Sequence, residues 1–220
     1  MLDRILEPEV MDTRGEAIDY DVMDHAEVNR RFVDDLIAAG LPEGDCLDLG
    51  TGTAQIPIEL AKRTQNVRIW AVDLAGQMLA VGRANVSAAA LTARIELQLA
   101  DAKRLPYPDG RFASVMSNSI VHHVPRPEDA LAEAIRVTAP AGLLFVRDLM
   151  RPDSRQRLES LVEQHAGTAG AHQRKMFADS LHAALTLEEM RQLVEHLGYA
   201  ATDVGATSDR HWTWTARKNR

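Results

Sequence analysis

The chain alternates between two hydrophobic periods, and this alternation predicts its fold. Short apolar runs that end at a glycine or an acidic residue are typical of buried strands, whereas apolar residues three and four positions apart are typical of helices. Five runs in the first 150 residues predict strands, at 46–49, 67–72, 95–99, 112–116 and 142–146. Stretches between them predict helices, at 57–61, 75–84 and 128–138. Such alternation is typical of a mostly parallel sheet with helices on both faces.

The first 40 residues predict a helical flap ahead of the sheet. An apolar face predicts an amphipathic helix over 24–39, with Asp24 as its N-terminal cap. Residues 1–23 predict a separate helical or irregular segment. A helix that continued through this region would place Asp21 and His25 on one face, because residues four apart are neighbours on a helix.

The last third of the chain predicts an insertion, a helix and two strands. Residues 151–185 are polar and helix-prone, which indicates a helical insertion after the fifth strand. Thr186, with Glu189 three residues later, predicts a capping box that begins a helix over 187–197. Two alternating stretches predict the final strands, at 202–205 and 211–215. The short loop between these strands requires antiparallel pairing.

These elements predict one doubly wound, Rossmann-like α/β domain with seven strands, mostly parallel, the last antiparallel. A length of 220 residues suits a single domain over 1–220. Its predicted parts are the flap, the cofactor-binding core, the insertion, and the last helix with two strands, at 1–40, 45–150, 151–185 and 186–220.

Composition narrows the classes of function. The 25 basic and 32 acidic residues give a net charge of -7, which disfavours nucleic acid and favours small molecules as partners. Cys46 is the single cysteine and cannot form an internal disulfide, as expected in a reducing compartment. No apolar run approaches the roughly 18 residues of a membrane span, and the N-terminus lacks the apolar stretch of a secretory signal. We therefore expect a cytoplasmic protein without membrane contact.

Candidate chemistry lies at the ends of the first three predicted strands. The first strand ends in a glycine turn with Gly50 and Gly52, and Asp73 ends the second, 21 residues after Gly52. This interval suits a carboxylate that accepts both hydroxyls of a ribose. Asp101 ends the third strand, at the edge where open α/β sheets bind ligands. Gln55 occupies the position of the third glycine of a pyrophosphate loop, which favours a nucleoside without phosphate, such as S-adenosylmethionine.

The sequence resembles the class I S-adenosylmethionine-dependent methyltransferases, particularly their small-molecule branch. The resemblance covers about half the chain, from 45 to 148. It is carried by the glycine turn from Asp48, by Val72-Asp73, by Ala100-Asp101-Ala102, and by the stretches 105–112, 117–119 and 122–123. Three residues depart from the family pattern, namely Ala54, Ala113 and Ala141. Ala54 replaces a glycine, and we expect it to be tolerated if its φ is negative.

The resemblance implies a set of cofactor-binding residues. The set comprises Tyr20, Asp48, Gly50, Gly52, Asp73, Leu74, Asp101, Ala102, Ser117 and Asn118. Asp73 would hold the ribose hydroxyls and Asp101 the adenine amino group. Ser117 or Asn118 would border the methionine amine, and Tyr20 would lie over the cofactor.

Methyl transfer from a sulfonium is an in-line displacement that mainly requires alignment. An acceptor that loses a proton also needs a base, and the candidates are His123, which resembles a position that several relatives use, and His25 on the flap. Three candidates for substrate binding lie at the carboxyl edge of the fifth strand. Arg147 and Asp148 are at the end of this strand, and Arg151 lies beyond it. The histidines show no tight metal-ligand spacing, so we expect no metal.

The sequence thus predicts an enzyme that transfers a methyl group from S-adenosylmethionine to a small-molecule acceptor. Three alternatives remain open. One is a non-catalytic protein that binds S-adenosylmethionine or S-adenosylhomocysteine. Another is a nicotinamide-dependent oxidoreductase, which Gln55 disfavours. The third is a protein or RNA methyltransferase, for which the basic cluster Arg217, Lys218 and Arg220 is the one candidate docking surface.

Overall fold

The computed structural model describes residues 2–10, 12–23 and 25–219, and its strands form one sheet. The strands are β1 Gly44–Leu49, β2 Val67–Asp73, β3 Ile95–Leu99, β4 Phe112–Asn118, β5 Thr138–Leu149, β6 Val204–Ala206 and β7 His211–Arg217. The helices are α1 Arg14–Asp21, α2 Ala26–Ala38, α3 Gln55–Arg63, α4 Gly76–Ala88, α5 Pro127–Val137, α6 Arg155–Ala166, α7 Ala171–Ala183 and α8 Leu187–His196. Short 3-10 turns occupy Val121–His123 and Ala201–Asp203.

The sheet has the order β3-β2-β1-β4-β5-β7-β6. Strand β1 runs parallel to β2 and β4, and β2 runs parallel to β3. Strands β6 and β7 pair antiparallel, with Val204 opposite Trp214. The predicted seven-stranded α/β fold is therefore confirmed, including its antiparallel last pair. Since β1, β2 and β3 are parallel, their carboxyl ends meet at one edge of the sheet.

The chain forms two compact units. The glycine-turn unit contains the described residues of 10–118, 129–145 and 215–220, and the insertion unit contains those of 1–9, 119–128 and 146–214. The predicted flap is divided between them, because its first nine residues belong to the insertion unit and the rest to the glycine-turn unit. One domain over 1–220 stays a prediction.

The core of the glycine-turn unit is built on the apolar face of α2. Phe32 and Leu36 are fully buried on that helix, and the Phe32 ring packs edge-on against Phe145, with ring centroids 5.2 Å apart. Side chains of this size each contribute roughly 1.5–3 kcal/mol when buried. His25 occupies the N-cap position of α2 without a side-chain cap, and the predicted cap, Asp24, lies outside the described residues.

The insertion unit has its own apolar cluster. Leu158 and Leu161 of α6 and Leu181 of α7 pack with Leu149, at the end of β5. The predicted helical insertion therefore consists of two helices. In the described part of the chain, no helix has both the length and the apolar content to cross a membrane.

The helix after the insertion begins with the predicted capping box. The Glu189 backbone N–H donates to Thr186 Oγ1 over 3.1 Å, and the Thr186 backbone N–H donates to Glu189 Oε2 over 2.8 Å. These two bonds satisfy backbone donors that the first turn of a helix otherwise leaves without a partner.

Two of the alanines that depart from the family pattern adopt left-handed backbone conformations. Ala54 has a φ of 64° and Ala141 a φ of 62°. The negative φ under which Ala54 was expected to be tolerated is therefore not observed. The reason is that Ala54 is the N-cap residue of α3 and connects the glycine turn directly to the helix. A left-handed conformation costs an alanine roughly 1–2 kcal/mol, which explains why a glycine is usual there.

A third left-handed alanine closes helix α4. Ala90 has a φ of 58°, and its N–H donates to the carbonyl of Ser87. The next N–H, of Leu91, donates to the carbonyl of Val86, which completes a Schellman motif. This motif usually has glycine at the position of Ala90.

We predict that Ala90→Gly raises the free energy of unfolding by about 0.5–1 kcal/mol, because strain relief exceeds the added entropy of the unfolded chain. The control is Ala89→Gly at the preceding position, where φ is -80°. It should lower the free energy of unfolding by about 0.5–1 kcal/mol. Urea titration measures both values, and a decrease for both variants would contradict the strain assigned to Ala90.

Candidate functional site

Asp73 ties the glycine turn to the end of β2. Its Oδ2 accepts a hydrogen bond from the Gly52 backbone N–H over 2.7 Å, and its Oδ1 accepts one from the Ala75 N–H over 2.8 Å. The Gly50 N–H donates to the carbonyl of Val72 over 2.9 Å. Gly50 and Gly52 have φ values of 70° and 54°, which glycine adopts without strain. The structure thus brings together the first two predicted strand ends.

A small polar cleft opens beside this turn. Its lining residues are Tyr20, Asn29, Asp48, Gly50, Thr51, Thr53, Gln55, Ile56 and Asn118. Four of them belong to the predicted cofactor-binding set, namely Tyr20, Asp48, Gly50 and Asn118. Four of the other lining residues lie in the glycine turn or just after it, namely Thr51, Thr53, Gln55 and Ile56. Their position in the sequence could therefore have identified them as candidates. Asn29, on α2, carried no such signal.

The cleft contains buried polar groups that suit a polar ligand. Asp48 is 3% exposed, and burial raises the pKa of its carboxyl group to about 7. Thr53 Oγ1 and Asn118 Oδ1 are buried and have no hydrogen-bond partner within the described residues. Because a buried polar group without a partner costs roughly 1–3 kcal/mol, a ligand that bonds to these atoms gains affinity. The hydrogen-bonding groups of Asp48, Thr53 and Asn118 fit an amino acid group attached to a nucleoside.

The end of α1 covers the glycine turn. A Cβ atom placed on Gly52 would lie 3.5 Å from Cε1 of Tyr20, so this ring stands directly against the turn. Burial raises the pKa of the Tyr20 phenol to about 12, which keeps it neutral. Asp21 accepts hydrogen bonds from the side-chain amides of Gln55, over 3.1 Å, and Asn85, over 2.8 Å. These bonds hold the helix end in place.

His25 does not share a helix with Asp21. Helix α1 ends at Asp21 and α2 begins at Ala26, so the continuous helix that would have placed Asp21 and His25 on one face does not form. The reason is that α1 packs on α4 whereas α2 packs on α3, and the chain turns between them. The His25 ring nevertheless lies beside Tyr20, with ring centroids 5.0 Å apart.

The end of β3 carries the third predicted carboxylate. The Ala100 N–H donates to the carbonyl of Asp73 over 3.0 Å, which ties this segment to the end of β2. Asp101 Oδ1 accepts from the Lys103 N–H over 2.9 Å and lies 3.0 Å from the Lys103 ammonium. Partial burial would raise the pKa of Asp101, but Lys103 outweighs burial and holds the pKa below its ordinary value. Leu74 is 40% exposed beside Asp73, and the cofactor roles of Leu74, Asp101 and Ala102 stay predictions.

Ser117 and Asn118 have different environments. Ser117 is buried, and its Oγ donates to the carbonyl of Leu49 over 3.0 Å, which holds β4 to β1. Asn118 is the next residue and lines the cleft. Contact with the methionine side of the cofactor stays a prediction for both residues.

The two candidate substrate arginines lie in the insertion unit and hold other parts of that unit. Arg147 Nε donates to Thr213 Oγ1 over 2.9 Å. Arg151 Nη1 donates to the carbonyl of Ala184 over 2.8 Å, and Nη2 pairs with Glu189 over 2.5 Å. Both arginines are at least 94% buried in the described structure. Contact with a substrate stays a prediction for both.

The remaining candidates form a cluster in the same unit. Asp148 is buried, with Oδ1 2.5 Å from His122 Nδ1. His122 and His123 both lie beside Glu7. Burial and the neighbouring His122 lower the pKa of His123 to about 3, so that its ring is neutral at pH 7. Neither His122 nor Glu7 was a candidate from sequence, because the contact joins residues more than a hundred positions apart.

Comparison with known proteins gives one family model and several relatives. Residues 47–146 match the model described as a methyltransferase domain. A malonyl-(acyl-carrier protein) O-methyltransferase of Geobacter sulfurreducens is 30% identical over 86% of this chain and 68% of that protein. The ubiquinone/menaquinone biosynthesis C-methyltransferase UbiE of the same organism is 33% identical over 72% of this chain and 66% of that protein. The chain spans about half the length of several other curated relatives.

Solved structures share the fold. A SAM-dependent methyltransferase from Aquifex aeolicus superimposes with a TM-score of 0.71, over 94% of this chain and 100% of that one. The two sequences are 18% identical, so this likeness concerns the fold.

The raised pKa of Asp48 predicts a pH-dependent stability in the ligand-free protein. The unfolded chain ionises Asp48 near its ordinary pKa of about 4, whereas the folded chain keeps the proton until about pH 7. The carboxyl group therefore contributes stability below pH 4 that is lost as the pH rises towards 7. Relative to wild type, Asp48→Asn should become more stable over this range, by an amount on the order of 4 kcal/mol.

Urea titrations at several pH values between 4 and 7.5 measure this difference. The control is Asp19→Asn, which removes an exposed carboxylate from α1. The difference in free energy of unfolding between this variant and the wild type should stay nearly constant over the same pH range. A constant difference for Asp48→Asn as well would contradict the raised pKa.

Proposed function

The chain belongs to the class I S-adenosylmethionine-dependent methyltransferases, and on this basis we propose that it transfers the methyl group of S-adenosylmethionine to a small-molecule acceptor. The observation that carries the proposal is the hydrogen bond between Asp73 and the Gly52 N–H beside a polar cleft. This arrangement places a carboxylate, a glycine backbone and buried polar groups at one edge of the sheet.

Asp73 can hold the glycine turn and a ribose at the same time. A carboxylate offers about four acceptor positions, and backbone N–H groups use one on each oxygen of Asp73. The Leu74 N–H also interacts with this carboxylate, and the acceptor capacity that remains would serve the ribose hydroxyls. We propose that Asp101, with the Ala102 N–H, meets the adenine.

The polar groups of the cleft would hold the other end of the cofactor. Asn118 Oδ1 is an acceptor without a partner in the described structure and suits the α-ammonium group of a methionine. Asp48 adds a carboxyl group whose ionised form is stabilised by a nearby positive charge. Tyr20, against Gly52, would cover the bound nucleoside.

The bound cofactor supplies a methyl group that its sulfonium charge already activates. The protein must therefore align the acceptor and exclude water. The hydrogen bonds from Gln55 and Asn85 to Asp21 hold α1 over the glycine turn. The helix in this position would help to exclude water. For an acceptor that loses a proton, we favour His25 as the base, because it lies in the glycine-turn unit beside Tyr20. His123 remains the second candidate.

The names of the relatives indicate which classes of acceptor to test. The two relatives are named as a C-methyltransferase of ubiquinone and menaquinone biosynthesis and as a malonyl-(acyl-carrier protein) O-methyltransferase. We propose a small-molecule acceptor, and the first panel to test contains quinols and malonyl thioesters.

We predict that Asp73→Asn weakens the binding of S-adenosylhomocysteine by roughly 10- to 100-fold. The amide oxygen can still accept from the Gly52 N–H, but the charge that strengthens bonds to the ribose hydroxyls is lost. Isothermal titration calorimetry measures the affinity, and the melting temperature confirms folding. The control Asp153→Asn removes an exposed carboxylate and should bind like wild type. Unchanged affinity of folded Asp73→Asn would contradict the assigned ribose site.

Two further measurements separate the proposed enzyme from the oxidoreductase and from the non-catalytic binding protein. S-adenosylhomocysteine should raise the melting temperature and NAD should not, because only a ligand that binds the folded state stabilises it. Transfer of a labelled methyl group to a member of the acceptor panel then distinguishes an enzyme from a binding protein. Stabilisation by NAD alone would favour the oxidoreductase. Cofactor binding without transfer to any acceptor in a broad metabolite panel would favour the non-catalytic alternative.

A further inference from the structure

Three potential metal ligands converge in the insertion unit. Glu7 lies in the segment before α1, and His122 and His123 are neighbours on the 3-10 turn Val121–His123. Glu7 Oε1 is 3.4 Å from His122 Nε2 and 3.2 Å from His123 Nδ1, and the three ligand atoms all lie within 4.8 Å of one another. We propose that these side chains form a binding site for a divalent transition-metal ion, with Zn²⁺ as the best fit.

The spacing of the ligand atoms suits tetrahedral coordination. Zn²⁺ binds nitrogen and oxygen ligands at about 2.0–2.1 Å, so two ligands at a tetrahedral angle lie about 3.3–3.4 Å apart. The two distances from Glu7 agree with this value to within about 0.2 Å. Two imidazoles with one carboxylate favour zinc over calcium or magnesium, which prefer oxygen ligands.

The groups around the ligands orient them. His122 Nδ1 lies 2.5 Å from Asp148 Oδ1, which turns Nε2 of the same ring towards Glu7. The His122 backbone N–H donates to the other Asp148 oxygen over 3.1 Å. Ser180 Oγ donates to Glu7 over 3.1 Å. Carboxylates that fix the second nitrogen of a histidine ligand are a recurring feature of zinc sites.

The segment that carries Glu7 is anchored independently of the ligands. Arg4 Nη2 donates to the carbonyls of His122 and Val124, over 3.3 and 3.1 Å, and Arg4 Nε donates to the carbonyl of Ala183 over 2.7 Å. These bonds hold Glu7 next to the histidine turn. The guanidinium charge opposes that of a cation, but Glu7 and Asp148 supply carboxylates beside the two imidazole rings. The bound ion would join the N-terminal segment to the turn that follows β4.

The test uses untagged, full-length protein that has been treated with a chelator and then freed of it. Titration with zinc chloride in competition with a chromophoric chelator measures stoichiometry and affinity. We expect one equivalent to bind to the wild type, and Glu7→Gln and His123→Gln to weaken binding by about 100-fold or more. Ser180→Ala, which removes a bond to Glu7, should weaken it by about 10-fold. The control is His172→Gln, an exposed histidine outside the cluster, which should leave binding unchanged.

Cobalt substitution of the wild type provides a second measurement that needs no variant. Co²⁺ in the site should give the intense visible absorption of four- or five-coordinate geometry, and one equivalent of Zn²⁺ should abolish it. The proposal would be overturned if no stoichiometric binding occurs, or if the ligand variants bind as well as the wild type. The cluster would then consist of ion pairs between His122 and the carboxylates of Glu7 and Asp148. Neither measurement depends on methyl transfer, so failure of the metal site and failure of the proposed function are distinguishable.

Discussion

The candidate site depends on one hydrogen bond, from the Gly52 N–H to the carboxylate of Asp73. The parallel register places Leu49 of β1 opposite Val72 of β2, so the residues that follow these strands emerge side by side. Two glycines let the chain turn back onto the end of β2 without steric strain. One carboxylate thereby fixes the glycine turn beside the cleft and still offers acceptor capacity to a ribose.

The sequence predicted this arrangement because its causes are local. Strand periodicity, the two glycines and the position of Asp73 at the end of the second apolar run follow from short stretches of the chain. The capping box of Thr186 and Glu189 was predicted for the same reason. The strands and most helices of the glycine-turn unit therefore match their predictions within a few residues, and the family matched by comparison agrees with the motifs.

Features that depend on packing between distant segments were not predictable in this way. Ala54 has a positive φ because the turn into α3 requires it, although alanine itself favours negative values. The break between α1 and α2 reflects the different helices on which they pack. Asn29 reaches the cleft, and Glu7 reaches the two histidines, through contacts that no sequence spacing records.

A crystal structure of the protein with S-adenosylhomocysteine tests the central claim most directly. The account predicts both ribose hydroxyls within hydrogen-bond distance of the Asp73 carboxylate, the adenine beside Asp101, and the amino acid tail next to Asn118. A nucleoside bound at any other edge of the sheet, or one that leaves the Asp73 carboxylate without contact, would contradict it.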